Sequence, residues 1–317
     1  LVGSEMCIRD RKVKNFEWKT IFNWSKNNSM VESLPEGIDK IQIGSGVYNV
    51  KSYAEVGKPY GAIYAKTFKR DAEGYILCQL DGSPKEGQDY EYLGCVQADW
   101  RGGWNNVFRL GNFSFSVMFD FQKGGKFFSQ TSIQSSVDGQ SVKSLEGRDA
   151  DFFSRKILGE SDEERYGFMR PQNANTPTAN GQIYPDWGRP KGVVLPNCRY
   201  DEDVEGLAGQ QVLGYCTPER YWMHYTSRDI SRFIYDASYV KLREITVSYD
   251  LPKKWLRKTP FQTFRVAAVG RNIATLFANT PHGLDPQATS TTGNAQGFER
   301  GFNLPSATYG FDIKVSF

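Results

Sequence analysis

The sequence predicts an all-β fold: antiparallel strands forming part of a transmembrane β-barrel, joined by long loops on the outer side. Three observations predict it. The C-terminal residues alternate strictly between apolar and polar, the chain is rich in aromatics yet polar on average, and its connections are alternately short and long.

At the C-terminus Tyr309, Phe311, Ile313, Val315 and Phe317 interleave with Thr308, Gly310, Asp312, Lys314 and Ser316. A period of two places successive side chains on opposite faces of a strand. One face is therefore apolar, and the other carries Asp312 and Lys314. The span is about that of a tilted strand crossing a bilayer. The closing strand of a soluble antiparallel sandwich alternates in the same way, so this segment alone leaves both architectures open.

The 317 residues include 21 Phe, 17 Tyr and 31 Gly, yet the mean hydropathy is −0.54. Such a mixture fits a barrel, whose lipid-facing and lumen-facing residues cancel in the average. No apolar run approaches the roughly 18 residues of a spanning helix. The 39 basic and 36 acidic residues are too balanced to imply a nucleic-acid partner.

Further segments alternate in the same way. Phe16, Trp18, Thr20, Phe22 and Trp24 share one face, and Phe113, Phe115, Val117, Phe119 and Phe121 another. Residues 60–70, 99–109 and 263–274 are weaker strand candidates. In 239–251 the phase switches, which predicts a bulge or an exit from the bilayer near Arg243. The outward set is then Phe113, Phe115, Phe119, Phe311, Ile313 and Val315, with Ser114, Ser116, Asp312 and Lys314 facing the lumen.

Leu110-Gly111 and residues 252–262 are short connections, whereas 71–98, about 123–234 and 275–305 are long. Outer-membrane barrels have short periplasmic turns and long extracellular loops. With Phe317 at the periplasmic side, every one of these long connections lies outside, and Lys253, Lys254, Arg257 and Lys258 lie in a periplasmic turn. The longest loop holds a Ser/Gln-rich stretch (129–141), a helical-looking piece (146–166) and a Pro/Gly/Asn-rich region.

Residues 1–11, LVGSEMCIRDR, look like a translated sequencing-adaptor segment, so the barrel portion is read as 12–317. Cys78 and Cys95, and Cys198 and Cys216, are spaced as two pairs in loops. Two disulfides and four free thiols are both compatible with that spacing. The absence of C-x-x-C, with only His224 and His282 in the chain, disfavours zinc.

No catalytic motif is present: there is no G-x-S-x-G, P-loop or H-E-x-x-H, and Gly44-Ser45-Gly46 lacks the context of a dinucleotide loop. No cofactor or metal is expected. Asp201, Glu202, Asp203 and Glu205 form an acidic run that reads as a solvated loop ahead of a calcium site. Tyr184, Trp187, Tyr200, Tyr221, Trp222 and Tyr225 are the loop aromatics. Of these, Trp187, Trp222, Tyr184 and Tyr221 are the candidates for substrate contact, with packing of the loop against itself as the alternative.

The segment DASYVKLREITVSYDLPKKWLRK (236–258) resembles the signature near the end of the SusC/RagA family of TonB-dependent outer-membrane transporters. FRVAAVGRNIATLF (264–277), HGLDPQ (282–287) and GFNLPSATYGFDIKVSF (301–317) resemble the family's segments beyond that signature. Upstream, VGKPYGAIYAKTF (56–68), ADWRGGWNN (98–106) and DFQKGG (120–125) resemble further landmarks in order. The family's usual Pro-Asp-Trp is Ala98-Asp99-Trp100 here, and its usual Asn in the preceding turn is replaced near Cys95.

The resemblance implies a C-terminal portion, about a third of a 22-stranded plugged barrel. The carboxypeptidase-like segment, TonB box and plug fall outside this chain. It further implies import of oligosaccharides or peptides driven by TonB–ExbB–ExbD beneath a SusD-like surface lipoprotein, without chemistry on the substrate. Phe317 resembles the terminal aromatic read by the outer-membrane insertion machinery. An envelope β-sandwich adhesin, a binding protein without transport and a lipase-type barrel enzyme are the alternatives.

Overall fold

The structure, a computed structural model, describes residues 2–13, 15–146, 193–216, 218–281, 283–288, 296–301 and 306–317. The 146–166 helical piece (beyond Glu146), Tyr184, Trp187 and His282 lie outside these residues.

Seven strands form one antiparallel sheet. They are β1 (Val2–Val13), β2 (Phe16–Asn27), β8 (Trp100–Leu110), β9 (Phe113–Lys123), β14 (Tyr239–Asp250), β15 (Thr263–Ala278) and β17 (Thr308–Ser316), paired in that order. The ten other strands among the described residues lie in the connections. β3 (Lys40–Ser45), β4 (Lys51–Glu55), β5 (Ala62–Ala65) and β7 (Glu91–Cys95) make a four-stranded sheet. β6 (Ile76–Cys78), β11 (Val193–Tyr200) and β12 (Gln211–Cys216) make a second, and β10 (Lys126–Ser129), β13 (Ile234–Asp236) and β16 (Phe298–Glu299) a third.

The register aligns the faces of the large sheet. Phe16 pairs with Leu110, Leu110 with Phe113, Phe113 with Tyr249, Tyr249 with Val266 and Val266 with Ile313. One surface is therefore continuously apolar from β2 to β17. Phe22, Trp104, Phe113, Phe115, Val247 and Val266 are exposed on it, and Phe311 is 86 % exposed. Rings pack laterally across it, as Trp18 does on Phe108 at 6.1 Å and Phe108 on Phe115 at 6.2 Å. Polar atoms on this side are paired locally: Trp104 Nε1 donates to Thr20 Oγ1 (2.9 Å) and Trp18 Nε1 to Asn106 Oδ1 (3.2 Å). Gly102 leaves room for Phe121, whose ring edge occupies the space a Cβ would take.

The opposite surface is polar. Arg265 clasps Asp250 with two hydrogen bonds of 2.6 and 2.9 Å, Arg271 donates to Glu244 at 3.0 Å, and Ser116 donates to Asn105 at 3.1 Å. The phase switch in β14 is a bulge: the register shifts between Leu242 and Glu244, with Arg243 as the extra residue.

Two features differ from the sequence reading. Residues 60–70 are not a wall strand: Ala62–Ala65 is a strand of the small sheet, Phe68 and Arg70 make isolated bridges to Glu86 and Ile76, and β2 pairs directly with β8. The short strand AIYA is wholly buried, so its apolar character reflects a core and not a bilayer. In addition, β1 pairs with β2 along its whole length. Its residues opposite Trp24, Phe22, Thr20, Trp18 and Phe16 are Glu5, Cys7, Arg9, Arg11 and Val13. The side continuous with the apolar surface is thus largely charged in this strand alone.

The long connections all leave one end of the sheet, where their described parts fold together as a cap with two apolar clusters. Val50, Ile63, Ala65, Phe128, Ile133, Ile230, Phe233 and Phe298 form one. Phe68, Ile76, Val193, Leu195, Tyr221, Trp222 and Tyr225, with Cys78, Cys198 and Cys216, form the other.

Because Phe115 lies on the uncovered apolar side and Ser116 on the polar side, Phe115→Arg should destabilise the sheet in a bilayer by about 2–4 kcal/mol and Ser116→Arg by much less. Urea unfolding of the two variants in lipid vesicles measures this, and equal losses would reverse the assignment of faces.

Candidate functional site

The family-like segments, far apart in sequence, meet where the cap joins the sheet. Gly124 and Gly125 have φ of +73° and +82°, a left-handed pair that glycine adopts without Cβ strain. The Asp99 carboxylate fills the space that a Cβ on Gly124 would need, so Asp99 of ADW packs against the turn of DFQKGG. The Gly124 N–H donates to Ser238 Oγ at 2.8 Å, adding the DASY segment.

A second junction surrounds Lys241, only 4 % exposed. Its ammonium donates to both carboxylate oxygens of Asp285 (2.6 and 2.5 Å) and to Gln287 Oε1 (3.0 Å). Arg243, turned by the bulge, donates to Asp120 (3.1 Å from Nε), Asn272 (2.6 Å) and Gln287 (2.6 Å). A buried ammonium is tolerated only when paired and hydrogen-bonded. Here the pairing straps the 283–288 segment onto β14.

Between cap and sheet lies an open cleft of about 870 Å³ lined by Lys26, Tyr92, Asp99, Trp100, Lys123, Lys126 and Asp236, among others. Lower on the polar surface a groove of about 420 Å³ runs past Glu17, Lys19, Arg109, Ser114, Glu244, Ser248 and Arg265. The groove lies on the polar face, whereas Lys26, Trp100 and Lys123 of the larger cleft are in phase with the apolar face, so the two open on opposite sides of the sheet. Among the described residues no group of three or more His, Cys, Asp or Glu is arranged to hold a metal ion.

The candidate site residues fall elsewhere. Tyr221 and Trp222 are 1 % and 4 % exposed, stacked edge-to-face at 5.1 Å inside the second cap cluster. Trp222 Nε1 donates to the Glu146 carbonyl at 3.1 Å. These rings pack the cap and present no free face to a ligand. Tyr200 and Tyr225 are buried with them. Phe317 is 77 % exposed and meets Phe261 edge-on at 5.2 Å, at the end of the sheet opposite the cap.

The acidic run is an ion-pair knot. Asp201 accepts from Lys69 (3.0 and 2.9 Å) and from Lys85 (2.6 Å), and Asp203 also pairs with Lys85. Burial alone would raise the Asp201 pKa, but the two ammonium groups outweigh it and hold the carboxyl at about 2. Cys7, Cys78, Cys95 and Cys216 are free thiols. Cys78 lies against Cys198 and not with Cys95, because β6 runs parallel to β11. Hydrogen bonding to Cys198 and burial push the Cys78 thiol well above its ordinary range, and burial pushes Cys216 up to about 12.

No protein-family model matches the chain. The chain is 23 % identical over 331 residues to TonB-dependent receptor P3 of Formosa agariphila, across 97 % of this chain and 27 % of that protein. Among solved structures it superposes on the RagAB peptide transporter with a TM-score of 0.54 at 14 % identity, covering 99 % of this chain and 29 % of the other. The open-open state of the RagAB peptide importer gives 0.52 at 15 % identity, covering 99 % and 28 %. These structural likenesses carry the fold, and the proteins matched are a receptor and a transporter, not enzymes. The chain thus spans little more than a quarter of the length of the proteins it matches, and it is similar to the TonB-dependent receptors in its motifs, its fold and its curated match.

Proposed function

We propose that this chain forms part of the wall and the outer cap of an outer-membrane barrel that imports an oligosaccharide or a peptide using TonB-derived energy. The observation that carries the reading is the large sheet itself: from β2 to β17 it is apolar on one face and polar on the other, with every long connection at one end. A soluble sandwich needs a second sheet over the apolar face. Among the described residues none lies there, which favours the bilayer as its cover.

In this reading the wall closes with further strands into a barrel, the polar groove faces the lumen, and the cap lies outside. Lys253, Lys254, Arg257 and Lys258 then lie on the periplasmic side. A SusD-like surface lipoprotein above the cap, and TonB–ExbB–ExbD below, are the partners. Residues 1–11 do not belong to the wall: Arg9 and Arg11 face the apolar side, where Arg costs about 2–4 kcal/mol at mid-bilayer. Trp187 and Tyr184 keep the proposed role in ligand contact.

Cells carrying the full-length protein should accumulate its labelled oligomer, and deletion of TonB should abolish the accumulation while surface binding persists. Trp187→Ala should weaken uptake at unchanged barrel yield. Uptake that is indifferent to TonB contradicts the transport mechanism.

Phe317, exposed at the end of the edge strand, serves assembly. Phe317→Ser in the full-length protein should cut the heat-modifiable barrel recovered from outer membranes several-fold. An unchanged yield removes that role.

A further inference from the structure

The cleft between cap and sheet opens on the apolar side. The register puts Lys26 of β2, Trp100 of β8 and Lys123 of β9 in phase with Phe22, Trp104 and Phe121, so all three line it from the uncovered face. A band of rings leads up to this rim: Phe121 stacks on Phe22 at 5.8 Å and meets Trp100 edge-on at 5.8 Å. The in-phase positions that end β2 and β9 beyond these rings are the lysines. At the far end of the same face the in-phase residues are Phe16, Leu110, Phe113 and Tyr249, none of them charged.

The cap adds to the basic set. Lys126 lines the cleft from β10, its stem lying across Gly94, where a Cβ would come within 2.7 Å of Lys126 Cγ. Tyr92 of β7 lines it too and is 41 % exposed. The carboxylates of the lining are Asp99 and Asp236. Both are engaged: Asp99 packs against Gly124, and Asp236 accepts from Lys126 at 3.3 Å and from the Ser238 N–H at 2.9 Å. Lys26 and Lys123 are exposed, and among the described residues neither has a carboxylate partner.

A lysine beside hydrocarbon ordinarily snorkels, its stem on apolar surface and its ammonium in the headgroup layer. That behaviour needs no cavity. Here lysines from three strands share a cleft of about 870 Å³ at the cap end of a band of rings. Phosphate suits such a site, because ammonium groups act as hydrated point charges and accept it without fixed bidentate geometry. Acyl chains suit the rings, whose apolar area gains nothing while it faces water.

We propose that this cleft seats the phosphate-bearing headgroup of an anionic lipid of the outer leaflet, with phosphate at Lys26, Lys123 and Lys126 and acyl chains along Phe22, Trp104 and Phe121. The proposal rests on the apolar face meeting lipid and the cap lying outside, and it adds a bound lipid to that reading. A neutral lipid would leave Lys26 and Lys123 without counter-charge. A soluble acidic peptide would leave the rings bare. Because β7 and β10 of the cap share the cleft with the wall strands, the bound lipid also ties the cap to the membrane surface.

The test uses the full-length protein purified in neutral detergent, with native mass spectrometry counting bound lipid. The probes are lipid A, a bis-phosphorylated acylated disaccharide, its dephosphorylated form, inorganic phosphate and poly-glutamate. Lipid A should bind most tightly. Its binding should fall with salt and weaken about tenfold or more in Lys26→Gln/Lys123→Gln at unchanged barrel yield. Lys253→Gln/Lys254→Gln, at the other end of the sheet, should leave it unchanged. Equal binding of the dephosphorylated lipid, of phosphate or of poly-glutamate overturns the proposal, as does an equal loss in the two double variants or no loss in the first. A nitroxide at residue 115 in vesicles separates this inference from the barrel reading. A label open to membrane-dissolved oxygen, without charge-selective lipid binding, sinks the inference and leaves the wall in its bilayer. A label screened from lipid removes the reading itself.

Discussion

The structure depends on one constraint: from β2 to β17 the large sheet carries an apolar face that no described part of the chain covers. Buried apolar surface contributes about 25 cal/mol per Å², and that gain is missing in water for Phe113, Phe311, Ile313 and their neighbours. Strand pairing satisfies the backbone groups within the sheet, as a hydrocarbon environment demands. The local pairing of Trp104 with Thr20 and of Trp18 with Asn106 extends the same economy to side chains on that face. In the proposed reading a bilayer supplies the missing cover.

The cap follows the opposite rule. Its clusters bury Phe128, Phe298, Phe68 and Tyr221 almost completely, so it has the interior of a water-soluble domain. Ion pairs fix its segments against one another and against the sheet. Asp201 joins residues more than a hundred positions apart through Lys69 and Lys85, and Lys241 holds Asp285 at the rim. Charges buried in this way contribute little net stability, but removing one partner leaves the other unpaired. Such pairs set the position of a loop more than they strengthen it.

What the sequence made legible was local. Alternation in 16–24, 113–121 and 309–317 identified strands of the large sheet because the period of two is written into consecutive residues, and the switch at Arg243 marked a real bulge. The 60–70 segment misled because a short buried cap strand and a weak wall strand look alike without their partners. The cap sheets were illegible for the same reason: β10 pairs with β16 across some 170 residues, Phe128 with Phe298. The two buried rings of Tyr221 and Trp222 resembled exposed loop aromatics, since nothing local distinguishes them.

The claim that the apolar face meets lipid is tested most directly by nitroxide labels placed singly at residues 309 to 316 of the full-length protein in vesicles. Collision with membrane-dissolved oxygen should peak at the odd positions, Tyr309, Phe311, Ile313 and Val315, and collision with a water-soluble nickel chelate at the even ones. A strand whose odd positions are screened from both reagents would have protein over that face, and would contradict the account.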